Sequence, residues 1–581
     1  MTELQTRGSV ENAVERAKAA YAAGNPVAAK QTFVELCQAH PEVFEFHTAL
    51  ATLAGELDDT PTTIESLERA TDIRPGNGAG YYDLALLARN GNQFQTAIRC
   101  FEKFLRYFPD KARVCYRMGA CHQALGNTQR AIECFRRAVQ IAPYYLLAGG
   151  RLRNIASAAS YAPSLVLRPA EEYLADGHAL LGERQIDAAI LHFLLAMVIK
   201  PKLTAASEAL TAALLSLGAN AVKVGFIPYF ALGHLALNTD LFLRQRTLGK
   251  TEPRTHYILL SGEAPANRQL LEMFKRCLNI VESDWLYYVL SEVLPSQVKH
   301  GMRISTNEYA EYNSTRTRLT FTAAEEARGQ AGLRDLGLDP GRDWFACVFA
   351  RDAAYTKTMI ELFEVDGRRF RNADINSYER AIRQIIEAGG HVFRMGSKPG
   401  VELKFRHDRL IDYGAHHRTD FLDVYLLAHC RFVMGTNSGV CDTAMIFDVP
   451  YLGVNTAPLG WAPYGRDNLF IPKLLRDVRH GGYVSLPRYI AETHRSKHFL
   501  GLWSDRGLDA AGYAYEDNRP EDILDAVKEM LARLEGRYQP LPEDTARQAH
   551  YRATFPESHG THAVPTPIGA TFLQKYSEIL L

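Results

Sequence analysis

Ala97-Ile98-Arg99-Cys100-Phe101-Glu102-Lys103-Phe104-Leu105-Arg106-Tyr107-Phe108-Pro109 is an amphipathic helix ended by a proline, and its phase recurs along the N-terminal third of the chain. Prolines stand at Pro41, Pro75, Pro109 and Pro143, each 34 residues after the one before. Eight residues before each of them sit Phe33, Leu67, Phe101 and Phe135; twelve before sit Ala29, Thr63, Ala97 and Ala131. Tyr82 and Tyr116 keep the same interval, as do Ala85 and Gly119. Shared phase at several positions predicts a helix–turn–helix unit whose apolar face is buried only by stacking on its neighbours, the proline ending its second helix.

That period is the one of tetratricopeptide (TPR) repeats. A further unit fits around Pro201, with Ala189 and Phe193 in phase. The extra length between Pro143 and Pro201 predicts an irregular hairpin over Tyr145 to Glu172. Such arrays present a concave groove to peptides or proteins, or serve structural and oligomerising roles. A homo-oligomer is therefore one expectation for the array.

The 581 residues exceed one hydrophobic core. Lys+Arg and Asp+Glu number 66 each, which excludes a global basic field for nucleic acid or an anionic membrane. The start, MTELQTRGSVENAVERAK, reads as a lead-in to a helix and not as a signal peptide, and no stretch approaches a spanning segment. The nine cysteines form no CxxC pair or zinc-spaced cluster, so reduced buried thiols and a cytoplasmic location are expected.

From Ala221 the period changes. Val222 to Tyr229, His256 to Gly262, Trp344 to Ala350, His391 to Gly396, Arg409 to Tyr413, Arg431 to Gly435 and Pro450 to Val454 read as strands alternating with helices at 267–278, 375–388, 420–429 and 440–447. This order predicts doubly wound parallel sheets, with ligands outside the carboxyl ends of the strands. The polar groups there suit an anion: Arg351-Asp352 with Lys357 behind, Arg394 followed by Gly396-Ser397-Lys398, and Gly435-Thr436-Asn437-Ser438-Gly439 at a helix start, where free N–H groups and the helix dipole favour phosphate. The last of these also reads as a simple N-cap with a tight turn. Neither a P-loop nor a GxGxxG follows the first strand, which argues against an ATPase or a hydride-transfer enzyme.

Arg371-Asn372-Ala373-Asp374-Ile375, Arg394-Met395-Gly396, Gly435-Thr436-Asn437-Ser438-Gly439, Pro450 and Asn455, preceded by Gly233-His234-Leu235-Ala236-Leu237-Asn238, resemble in order and spacing the motifs of a bacterial glycosyltransferase family. The match covers residues 222 to 475 and the last helix. It implies a GT-B fold, two Rossmann-like domains across a cleft, with a nucleotide-sugar donor held mainly by the C-terminal one and no separate cofactor. Arg371, Asn372, Thr436, Asn437, Ser438 and Gly439 then join Arg351, Lys357, Arg394, Gly396, Ser397 and Lys398 on the donor side. The TPR fusion is similar in layout to protein O-glycosyltransferases, including flagellin-modifying ones, which is analogy alone.

The expected organisation is a TPR domain over 1–220, an acceptor-side α/β domain over 221–335, a donor-side α/β domain over 336–568 and a docking helix over 569–581. The expected reaction is sugar transfer to a protein or glycan acceptor presented by the repeats. Arg351, Arg394, Lys398 and the N–H groups around Asn437 to Gly439 would stabilise the leaving diphosphate in place of a metal, since no metal-ligand cluster stands out. His234 is the first choice for the acceptor's base, or a capping or core histidine; Asp352 and Asp374 are the others, with salt-bridging to Arg351 and helix capping as their ordinary roles. Competing readings are a surface-polysaccharide transferase, a sugar-nucleotide epimerase, and a non-catalytic scaffold with a relic α/β domain.

Overall fold

The computed structural model describes residues 3–22, 25–57, 59–73, 79–90, 92–109, 111–141, 168–302, 309–352, 369–397, 400–465, 467–495, 505–557 and 559–581. Pro75, Pro143, Lys357, Lys398 and the stretch 145–167 lie outside them. The chain divides into two compact units, Met1–Arg168 and Pro169–Leu581.

The first unit is a run of helical hairpins: α1 (Glu3–Ala22), α2 (Pro26–Ala39), α3 (Phe44–Glu56), α4 (Thr60–Ile73), α5 (Ala79–Asn90), α6 (Phe94–Tyr107), α7 (Ala112–Ala124) and α8 (Thr128–Ile141). The in-phase positions are its core. Ala29, Ala97, Ala131, Phe101 and Phe135 are wholly buried. The small residue of one helix faces the phenylalanine of the next: a Cβ at Gly119 would lie 2.7 Å from Phe135 Cε1. Polar bonds also tie successive repeats together: Lys103 Nζ donates to Asp72 Oδ1 at 2.7 Å and Arg117 Nη1 donates to the Tyr82 hydroxyl at 2.6 Å.

The second unit opens with helices α9 (Ala170–Gly182), α10 (Ile186–Ile199) and α11 (Thr204–Ser216). Ala170 to Glu172, expected to close the irregular hairpin, are already the first turn of α9. The repeat phase persists here, since Gly177 on α9 faces Phe193 on α10 as Gly119 faces Phe135. These helices share the compact unit Pro169–Leu581 with the α/β part. Specific contacts explain why: His256 Nε2 meets Asp187 Oδ1 at 2.5 Å, and Tyr173 stacks on Trp285 at 5.8 Å.

Two parallel sheets follow. The first contains β1 (Ala221–Phe226), then α12 (Leu232–Thr247), β2 (Thr255–Ser261), α13 (Arg268–Lys275), β3 (Ile280–Glu282), α14 (Asp284–Val293) and β4 (Lys299–His300), in the order β3-β2-β1-β4. After α15 (Tyr309–Ser314) and α16 (Ala323–Asp335) comes the second, with β5 (Phe345–Phe349), α17 (Glu379–Glu387), β6 (His391–Arg394), β7 (Leu410–Ile411), α18 (Asp420–His429), β8 (Val433–Gly435), α19 (Gly439–Ile446), β9 (Tyr451–Thr456) and β10 (Leu469–Pro472). Its order is β10-β9-β8-β5-β6-β7, all parallel. In sequence rank that is the doubly wound 3-2-1-4-5-6 arrangement, whose strand order reverses between β5 and β8. A hairpin of β11 (Leu474–Asp477) and β12 (Tyr513–Glu516) precedes α20 (Pro520–Leu534).

The expected single C-terminal helix is two short ones, α21 (Ala570–Lys575) and α22 (Ser577–Leu580). They dock on α20: Ala570 N–H donates to Glu529 Oε2 at 2.7 Å and the Tyr576 hydroxyl to Asp522 Oδ2 at 2.8 Å.

One continuous hydrophobic core runs through both sheets, from Ile227 to Leu580. Arg244, 1% exposed, stitches them together. On α12 it donates to Asp240 Oδ2 at 2.6 Å. Its other nitrogens reach Thr315 Oγ1 at 3.2 Å, the Ile446 carbonyl at 3.1 Å and Asp448 Oδ1 at 3.0 Å, with Tyr312 under the guanidinium. Replacing Arg244 with methionine keeps the length and strands two carboxylates, one of them Asp240 at 0% exposed. Urea denaturation of Arg244→Met is expected to show a loss of about 3–5 kcal/mol with an unchanged m-value.

Candidate functional site

The carboxyl ends of β5 and β8 meet at the reversal point of the second sheet. Their approach is set by Gly435, where any Cβ would overlap the Phe349 carbonyl. Arg351 N–H donates to Thr436 Oγ1 at 3.1 Å, and Thr436 N–H to the Phe349 carbonyl at 3.3 Å. The segment holding Arg371 and Asn372 is drawn to the same place. Ala373 N–H donates to the Arg351 carbonyl at 2.9 Å, and Arg371 donates to the Asn437 carbonyl. Asn437 then reaches onward, its Nδ2 donating to the Ala457 carbonyl at 2.7 Å. Buried Lys473 fixes the far side, donating to the Asn372 carbonyl at 2.5 Å and pairing with Asp517 at 2.5 Å. Burial holds its ammonium below the usual lysine range, against the pull of Asp517.

Ser438 occupies the N-cap position of α19 in extended geometry, but its side chain makes no capping bond to the helix. Its hydroxyl lies 3.6 Å from Cys441 Sγ instead. The N-cap reading of Gly-Thr-Asn-Ser-Gly thus holds for position and not for bonding. The first turn keeps N–H groups that an anion can accept from.

Gly233, from the N-terminal motif, meets this turn directly. A Cβ on Gly233 would sit 2.9 Å from Gly439 Cα, and one on Gly439 would sit 2.5 Å from Gly233 N. The first turns of α12 and α19 therefore touch backbone to backbone, a contact that only glycine permits on both sides. α12 also lacks a side-chain cap at Ala231. His234 stands exposed on that turn.

The structure thus gathers Arg351, Arg371, Asn372, Thr436, Asn437, Ser438, Gly439 and, across the helix contact, His234. Other expected residues lie elsewhere. Arg394, on the next strand out, is 5% exposed and spends its guanidinium on Asp412 Oδ2 at 3.1 Å and on the Val401 carbonyl. Gly396 follows with φ at +132°, over the Phe349 ring, and Ser397 is exposed. Asp352 accepts from Gly400 N–H at 2.7 Å, so it ties the loop after β6 to the end of β5. Asp374 caps the short 3-10 turn Ile375–Tyr378, accepting from Asn376 N–H at 2.9 Å. Among the described residues no group of three or more His, Cys, Asp or Glu side chains is placed to hold a metal ion.

Sequence reasoning missed Asp442. It lies on the first turn of α19, and a Cβ on Gly233 would fall 2.5 Å from its Oδ2. Burial pushes its carboxyl up to about 7, with Arg371 pulling the other way. Nothing local marks it, because its environment comes from a helix some 200 residues earlier.

Comparison with known proteins supports the helical part. Residues 79–111 and 112–145 each match a tetratricopeptide-repeat family model. Among solved structures, the chain is similar to a crystal structure of MamA at 18% identity, covering 33% of this chain and 93% of that one with a TM-score of 0.18. MamA from Desulfovibrio magneticus RS-1 is 14% identical over 33% and 96% of the two chains, TM-score 0.17. YrrB, described as a TPR protein with an unusual peptide-binding site, is 12% identical over 34% and 89%, TM-score 0.17. A sequence comparison with curated proteins finds no match. No helix among the described residues is long and apolar enough to cross a membrane.

The raised pKa of Asp442 has a stability consequence. Below the ordinary carboxylate range the side chain is protonated folded and unfolded alike. As pH rises through that range toward about 7, only the unfolded chain ionises freely, and the fold loses stability. Asp442→Asn cannot ionise. Its melting temperature is expected to match the parent's near pH 4 and to exceed it increasingly up to about pH 7, then to stay above. A constant difference across that range would remove the assignment.

Proposed function

We propose that the chain is a GT-B glycosyltransferase that moves a sugar from a nucleotide-sugar donor to an acceptor hydroxyl, with the tetratricopeptide repeats engaging a protein acceptor. The observation that carries this reading is the convergence at the β5/β8 reversal point. The uncapped first turn of α19, Arg371 and the Arg351 strand end surround one place where a diphosphate can accept hydrogen bonds. Ligands of doubly wound sheets bind there. The first parallel sheet lies across that point, and its Gly233-His234 turn gives the acceptor side a polar wall.

Departure of the diphosphate leaves negative charge that Arg371 and the α19 N–H groups would stabilise. Arg394 supports the loop after β6 through Asp412 and is assigned a structural part. Repeat arrays bind peptides and proteins, which favours a protein acceptor over a small-molecule isomerisation. A cytoplasmic location goes with this reading, since nucleotide sugars are cytoplasmic substrates.

Thermal-shift measurements against UDP, GDP, CMP and dTDP test it. One of these is expected to raise the melting temperature, because a ligand of the folded state stabilises it. Arg371→Ala is expected to abolish that rise, while Arg394→Ala lowers the baseline melting temperature and keeps the rise. No shift with any nucleotide, together with no nucleotide release from a panel of nucleotide sugars, would sink the reading.

A further inference from the structure

We propose that Asp442 is the general base that takes the proton from the acceptor hydroxyl. The assignment rests on the transferase reading above and names a residue that reading does not require.

Three observations carry it. The first is position: Asp442 lies on the same first turn of α19 that would hold the leaving diphosphate, three residues and about 4.5 Å along the helix axis from Gly439. The second is that its carboxylate is uncommitted. Asp352 and Asp374 each accept a backbone N–H, at 2.7 and 2.9 Å, whereas Asp442 takes part in no side-chain hydrogen bond among the described residues. A carboxylate without N–H donors keeps its basicity. The third is the space around it. Glycine at 233 is what leaves room for the carboxyl, since a Cβ there would stand 2.5 Å from Oδ2. The residue is partly exposed, so the group is enclosed without being sealed.

The charged group acting on it is Arg371; the titratable residues around it are His234 on the facing first turn, Tyr312 on α15, Tyr451 on β9 and the neighbouring Cys441. Burial brings the carboxyl to about 7, where a base is half available and still strong. In the step, an Asp442 oxygen takes the hydroxyl proton. The freed oxygen pair forms the bond to the anomeric carbon. The bond from that carbon to the diphosphate oxygen breaks, and its electron pair leaves with the diphosphate toward Arg371. Asp442 then returns its proton to water. Water itself can stand in for the acceptor, so slow donor hydrolysis reads the same proton transfer.

The test uses the full chain, the panel of UDP-, GDP-, CMP- and dTDP-sugars, and release of free nucleotide across pH 5 to 9. The parent rate is expected to rise through about pH 7. Asp442→Asn is expected to lower it about 100-fold or more and to lose the pH dependence, while keeping the nucleotide-induced thermal shift. Asp442→Ala with added formate is expected to regain rate, which a structural role for the carboxyl would not produce. Undiminished hydrolysis in Asp442→Asn with the parent pH profile, or a fallen rate that formate leaves unchanged in Asp442→Ala, overturns the assignment and leaves the transferase reading intact. Failure of the parent to bind or hydrolyse any donor overturns both.

Discussion

The contact between Gly233 and Gly439 is the constraint on which the α/β half depends. Two helices starting at the carboxyl ends of strands in different sheets meet at their first turns, with their backbones as close as backbones pack. Any side chain at either position would push the turns apart. It would also separate the groups each one carries: His234 and its sheet on one side, Asp442 and the uncapped turn after β8 on the other. Arg244 pins the far ends of the same two helices by binding the Ile446 carbonyl and Asp448. The two sheets consequently share one core, and the packing of the fold itself holds the groups of the candidate site in place.

Such preorganisation suits stabilisation of developing charge, because dipoles already oriented cost no rearrangement when the charge appears. It also accounts for the polar groups buried around the reversal point. Asn455, at a positive φ of 53°, exchanges hydrogen bonds with Asn518: its N–H donates to Asn518 Oδ1 at 2.5 Å, and its Oδ1 accepts from the Asn518 N–H at 2.6 Å. Lys473 links the Asn372 segment to Asp517. Each bond joins a strand end of the second sheet to the hairpin or loop behind it, which holds the turn carrying Asn437 in place.

Much of this was legible in the amino-acid sequence where the signal is local or periodic. The recurring prolines with Phe33, Phe101 and Phe135 behind them gave the helical hairpins, and apolar runs such as Phe345–Phe349 gave the strands. Gly435 to Gly439 read correctly as a strand end and helix start. What was hidden depends on partners far away in the chain. Arg394 looked like an anion ligand because Asp412 cannot be paired with it before the fold is known. Asp374 stood as base or helix cap, and the cap is what its bond to Asn376 N–H makes; Asp352 stood as base or partner of Arg351, and its acceptance from Gly400 N–H could not be read before the fold was known. Asp442 looked ordinary because its burial comes from Gly233, and the attachment of α9 to α11 to the α/β unit was hidden because His256 and Asp187 lie in different period regimes.

The central claim is that the phosphate end of a nucleotide binds at the meeting of β5 and β8, against the first turn of α19. Hydrogen–deuterium exchange of the full chain with and without the nucleotides UDP, GDP, CMP and dTDP tests it most directly. The account predicts that one nucleotide slows exchange over 435–442 and 369–373, with the first helical unit unchanged. Protection by a nucleotide confined to other segments, or none at these positions with any nucleotide, would contradict it.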